Sequence, residues 1–134
     1  MKPIALITRR ANPPVVDLLA SVCHILPKTG ALAYPLQEIR LLASCAHALL
    51  VTTPEPIDES LLRDCPRLRV IACTFRIPEN IDIAACTRRG IWVTTVAAEH
   101  EDVDAELEAA RNILDALSGD TPRGAVNEIL LPAS

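Results

Sequence analysis

The residues of this chain best suited to chemistry follow its fourth apolar run. Arg76 is the single cation in the stretch Cys73-Thr74-Phe75-Arg76-Ile77-Pro78-Glu79-Asn80. A guanidinium carries a permanent charge and a planar fork of donors, so it can hold an oxyanion through two parallel hydrogen bonds. A second candidate, Thr52-Thr53-Pro54, follows the third apolar run. Its hydroxyls offer further hydrogen bonds to an oxyanion beside Arg76. A Thr-Pro pair also simply ends a strand, which is the plainer reading.

Other reactive residue types lack the spacing that chemistry needs. His24, His47 and His100 are far apart and share no metal-ligand pattern, so no metal site is expected. Cys23, Cys45, Cys65, Cys73 and Cys86 are odd in number and contain no CxxC pair. They read as reduced, buried core thiols. Ser60, Ser118 and Ser134 lack a nucleophile-elbow context. Arg67, Arg69, Arg88 and Arg89 read as a solvated rim around an otherwise acidic molecule.

Composition narrows the function classes. The chain has 134 residues, a net charge of -4 and only 2% aromatic residues, namely Tyr34, Phe75 and Trp92. A negative molecule without stacking platforms is a poor nucleic-acid binder. Half of the residues are apolar, which suffices for one domain with an aliphatic core. No apolar run approaches the roughly 18 residues of a membrane span. The opening MKPIALITRR is too short an apolar run for a secretory signal. No membrane association and a cytoplasmic location are expected.

The elements that would position Arg76 alternate along the chain. Short apolar runs at 4–8, 24–27, 48–52, 68–74 and 91–95 read as strands covered on both faces. Between them lie helical segments. One starts at Pro13-Pro14 with Val15, Leu18, Leu19 and Val22 at helical spacing; another contains Leu36, Ile39, Leu42 and Ala43. Asp58 can cap a short helix through Leu61 and Leu62, and a helical turn over 81–87 stops at Gly90. Strand–helix alternation predicts right-handed crossovers and a parallel sheet. The expected fold is therefore α/β, a flavodoxin-like, doubly wound, five-stranded parallel sheet. After an acidic run at 99–104, Leu107, Ala110, Arg111, Ile113, Leu114 and Leu117 describe a long C-terminal helix ended by Gly119. In such sheets ligands sit beyond the carboxyl ends of the strands.

Several pieces of this sequence resemble the substrate domain of the D-2-hydroxyacid dehydrogenase family, and within it the phosphite dehydrogenases. They are Ile7-Thr8, Leu18-Leu19-Ala20, Cys65-Pro66, Leu68-Arg69-Val70, Asn80 with Asp82, Ala85-Cys86-Thr87 and Gly90-Ile91-Trp92-Val93-Thr94. Residues 105–127, AELEAARNILDALSGDTPRGAVN, resemble the family's closing helix and tail. The resemblance implies one substrate-binding-type domain over 1–134. It comprises a first segment, 1–95, a junction, 96–104, where the family carries its NAD-binding Rossmann domain, and a C-terminal helix and tail, 105–134. It places Arg76 where phosphite dehydrogenases have a substrate-contacting lysine, and makes Arg76, Thr53 and Asn80 the candidate substrate-binding residues. The family loop is usually cation-Gly-aromatic-Asp-Asn. Here Ile77 replaces the glycine and Pro78 lacks an amide donor, so the loop's donor nest is expected to be altered. Arg76 is then either a retained anion site or a surface arginine in a rebuilt loop.

The family's catalytic Arg, Glu and His lie in the Rossmann domain, and none is assigned here. The four glycines, Gly30, Gly90, Gly119 and Gly124, cannot form GxGxxG. No cofactor is expected on this chain, and NAD only with a partner that supplies the Rossmann domain. Three readings follow: a stand-alone substrate domain without redox activity that can bind a small oxyanion, one subunit of a split dehydrogenase, or a structural module that forms homodimers through its last helix.

Overall fold

The computed structural model describes residues 2–8, 11–26, 36–52, 56–97 and 102–129. The apolar runs form five strands: β1 (Ile4–Ile7), β2 (His24–Leu26), β3 (Ala48–Val51), β4 (Val70–Cys73) and β5 (Trp92–Thr94). All pair in parallel, in the order β2-β1-β3-β4-β5. This is the expected doubly wound sheet. Every residue of β3 and β4 is buried, which explains why these runs are continuously apolar rather than alternating.

Five helices cover the two faces: α1 (Pro13–Ala20), α2 (Leu36–Ala43), α3 (Glu59–Arg63), α4 (Ile83–Arg88) and α5 (Val103–Leu117). Leu49, Val51, Ile71 and Val93 point to one face and pack with Ala43, Leu61, Leu62, Ala85 and Cys86 from α2, α3 and α4. Ala48, Leu50, Val70 and Ala72 point to the other face, covered by Val15 and Leu19 of α1 and Ala105, Ala109, Ala110, Ile113 and Ala116 of α5. The small residues of α5 let its backbone lie close to the strands. The helix thereby spans from α1 to β3, β4 and β5.

Local chemistry sets the helix ends. Asp58, Asp82 and Asp102 each accept a hydrogen bond from the backbone N–H three residues on, at 3.0, 3.0 and 3.1 Å, each cap contributing about 1 kcal/mol. The run 81–87 was expected to be helical from its start. Asp82 acts as its cap, so the helix begins at Ile83. Gly90 and Gly119 follow α4 and α5 with φ of 72° and 92°, the left-handed geometry that ends helices. Helix α1 starts differently. The N–H and side-chain amide of Asn12 both donate to the Glu106 carboxylate, at 2.9 Å each, so a residue of α5 holds the entry to α1.

One feature has no counterpart in the strand pattern. Beyond α5 the chain returns along β5 as a strap, with an antiparallel bridge between Thr94 and Ala125. Asn112, buried in α5, accepts from the Gly124 N–H at 3.0 Å and donates to the Thr95 carbonyl at 3.4 Å. A side chain on Gly124 would collide with the Thr95 carbonyl and come within 2.6 Å of the Asn112 amide nitrogen. Glycine is thus required there by close approach.

Candidate functional site

The Arg76 loop stands at the carboxyl end of β4, next to the end of β3. Val51 pairs with Cys73, and the Thr74 N–H donates to the Val51 carbonyl at 3.0 Å. Beyond that point the loop is held from both sides. Val96 N–H donates to Phe75 O at 3.4 Å; Ile57 N–H donates to Asn80 O and Asp82 N–H to Ile57 O, both at 2.9 Å. A parallel bridge joins Ile57 to Ile81. The loop backbone is therefore fixed at its ends, while Arg76 and Ile77 at its crest are exposed, Ile77 to 67%.

Arg76 makes no ion pair among the described residues. Arg69, Arg88 and Arg89 of the expected rim have partners. Arg88 and Arg89 reach Glu59 at 3.5 and 2.5 Å. The Arg89 hydrogen bond holds the Glu59 carboxyl below the usual carboxylate range. Arg69 donates to the Ala116 carbonyl near the end of α5 at 3.4 Å. Three of the four arginines of the expected rim thus serve structural contacts.

The remaining candidates divide. Thr53 lies outside the described residues. Its neighbour Thr52 is half-buried, and its hydroxyl finds no hydrogen-bond partner among them. Asn80 is half-buried and its carbonyl secures the loop to Ile57. No non-glycine residue has a positive φ among the described residues. The loop accordingly has no left-handed turn at Ile77, and Pro78 supplies no donor, as the sequence implied. What the arrangement offers is a solvent-facing guanidinium beside strand ends.

Thiol chemistry is suppressed. Cys23, Cys65, Cys73 and Cys86 are buried. Burial, reinforced by Asp82 and Glu59, pushes the Cys86 thiol up to about 12. Burial and Asp64 push Cys65 up to about 11. Neither offers a thiolate near neutral pH. Among the described residues no group of three or more His, Cys, Asp or Glu could hold a metal ion, and no helix is long and apolar enough to cross a membrane.

A groove of about 870 Å³, not lined by Arg76, lies between α5 and the strap, walled by Glu108, Arg111, Asp115, Arg123 and Val126. Sequence reading missed both its walls and the residue beneath them. Asn112 carried a signal: with Ala105, Ala109 and Ala116 it falls on the buried stripe of α5, where an amide must find hydrogen-bond partners.

Residues 5–127 match the D-isomer specific 2-hydroxyacid dehydrogenase catalytic domain. The chain belongs to this family. It is 30% identical over 121 residues to a glyoxylate reductase of Aeropyrum pernix, covering 86% of this chain and 36% of that protein. It is 37% identical over 60 residues to a glyoxylate/hydroxypyruvate reductase of Arabidopsis thaliana, covering 45% of this chain and 19% of that one. The PH0520 protein of Pyrococcus horikoshii shares the fold with a TM-score of 0.65 at 23% identity, over 73% of this chain and 28% of that one. The TT0316 protein of Thermus thermophilus superposes over 96% of this chain and 43% of its own, with a TM-score of 0.61 at 23% identity. The chain spans about a third of the length of the curated relatives it matches.

Proposed function

We propose that this dehydrogenase-family domain binds a small oxyanion at Arg76 and performs no redox step by itself. The observation that carries the reading is the exposed guanidinium at the carboxyl end of β4, unpaired among the described residues, where open α/β sheets hold ligands. Phosphite and the carboxylate of a 2-oxo acid present the same paired oxygens to such a fork. The sequence resemblance favours phosphite, while the names of the relatives favour glyoxylate. Calorimetric titration with phosphite and, separately, glyoxylate tells the two apart. Heat that disappears in Arg76→Ala supports the site. Equal heat in both proteins, or none with either anion, overturns it.

A second reading rests on the absence of GxGxxG from these 134 residues. A dinucleotide needs glycines that let backbone amides reach its pyrophosphate, and these residues offer no such cradle. Hydride transfer would then fall to a separate NAD-binding unit, with this chain as the substrate half of a split dehydrogenase. Co-expression with an orphan Rossmann-domain protein should yield a complex that reduces glyoxylate or oxidises phosphite. Failure of the two to co-purify sinks this reading and leaves the anion site standing.

A further inference from the structure

Strand β5 closes one side of the sheet, and its outward main-chain groups decide what can join it. They are the carbonyls of Ile91 and Val93 and the N–H groups of Val93 and Thr95. The strap takes all four. The Asn127 side chain replaces a peptide unit: its Nδ2 donates to Ile91 O and its Oδ1 accepts from Val93 N, both at 2.9 Å. Val126 N donates to Val93 O at 2.9 Å, and Thr95 N donates to Gly124 O at 3.0 Å.

Apart from the strap, the strand carries no charge, proline or bulge to guard its edge. Ile91-Trp92-Val93-Thr94-Thr95 contains no charge and no proline, and every residue is β-branched or aromatic. The strap is held by polar contacts rather than by burial. Of residues 121–129 only Pro122 is buried, Val126 is 44% exposed, and the groove runs between the strap and α5. Segments with few buried apolar contacts open locally at low cost.

The four groups are also self-complementary. In an antiparallel pair centred on Val93, this residue would exchange both bonds with its counterpart in a second copy, and Ile91 O and Thr95 N would each meet the opposite group. We propose that residues 121–129 are a displaceable guard, and that the edge they cover pairs with β5 of a second copy of this chain once they leave. This two-fold contact is isologous and needs no other partner.

The test uses the full chain with Gly124→Ala and Asn127→Ala together. Both substitutions lie in the strap, outside β5, α5 and the Arg76 loop, and the Gly124→Ala methyl pushes the strap off the Thr95 carbonyl and Asn112. Hydrogen exchange at the Val93 and Thr95 amides in dilute solution should accelerate roughly tenfold or more, with Ile71 and Ala72 as the control for an intact core. Sedimentation should show dimers at concentrations roughly tenfold below those the wild type needs. A second variant, ended after Asp120, keeps α5 and its glycine stop and should dimerise at least as strongly. Unchanged exchange overturns the guard. Faster exchange without tighter association overturns the pairing. Dimers of the double variant alone, with the shortened chain monomeric, would mean exchanged straps and would also overturn it.

Discussion

The Arg76 loop and the C-terminal strap solve opposite problems. In the loop, backbone groups at both ends are bonded to Val96 and Ile57, which leaves the crest side chains free to meet a ligand. At the strap, side chains take over the bonding of the main chain, with Asn112 of α5 and Asn127 of the strap acting as surrogate peptides. The comparison teaches where mutation should register. Changes at the loop crest should alter binding and spare the fold, whereas changes at the strap amides should alter the fold and spare binding.

Asn112→Ala should show the largest loss of stability. It strands the Gly124 N–H and the Thr95 carbonyl near a buried position, at a cost of about 2 kcal/mol. Urea unfolding measures this, and a loss below about 0.5 kcal/mol would reduce the strap to a surface decoration. Asp82→Ala tests the opposite side. It removes the cap of α4 just after the loop and should cost about 1 kcal/mol, with anion binding weakened only if the anchored end of the loop positions Arg76.

A smaller effect is expected in acid, at the opposite strand ends from the Arg76 loop. His47 Nδ1 accepts the Ile4 N–H at 3.0 Å, which only the neutral ring can do. Burial, then Arg67 and Arg69, holds its pKa below the ordinary 6.5. The unfolded chain therefore binds the proton first. The contribution of His47 is full above about pH 6.5 and is lost as pH falls through the folded-state value. His47→Asn keeps an acceptor without a titration and should flatten the stability profile between pH 7.5 and 5. The smallest stability change belongs to Arg76→Ala, within about 0.5 kcal/mol of wild type, even though it should abolish anion binding. A drop of several degrees in Tm would show that Arg76 holds structure instead.

Much of the architecture was legible because it leaves periodic traces. The five apolar runs, the prolines opening α1, the Asp58 cap and the stops at Gly90 and Gly119 each occupy the expected place. Such signals are local, fixed by backbone geometry within a few residues. Long-range polar bonds leave no such trace. Asn127 reaches Ile91 across 36 residues and His47 reaches Ile4 across 43. Spacing alone marks His47 only as a possible metal ligand and gives residues 121–129 no pairing. The candidate site was half legible: the Arg76 loop could be located and its missing donors foreseen, because Ile77 and Pro78 restrict their own backbone. The Thr52 hydroxyl, unpartnered among the described residues, depends on what surrounds it and could not be.

The packing of α5 bears on how the molecule is made. One face of the sheet, built from strands spread over residues 5–72, receives much of its cover from Ala105, Ala109, Ala110, Ile113 and Ala116. During synthesis that face is complete only once α5 emerges, after all five strands, so an apolar surface stays open until then. Nascent chains stalled before Val103 should be cleaved by protease nearly as fast as unfolded ones. Resistance at that length would mean that the five strands fold without α5.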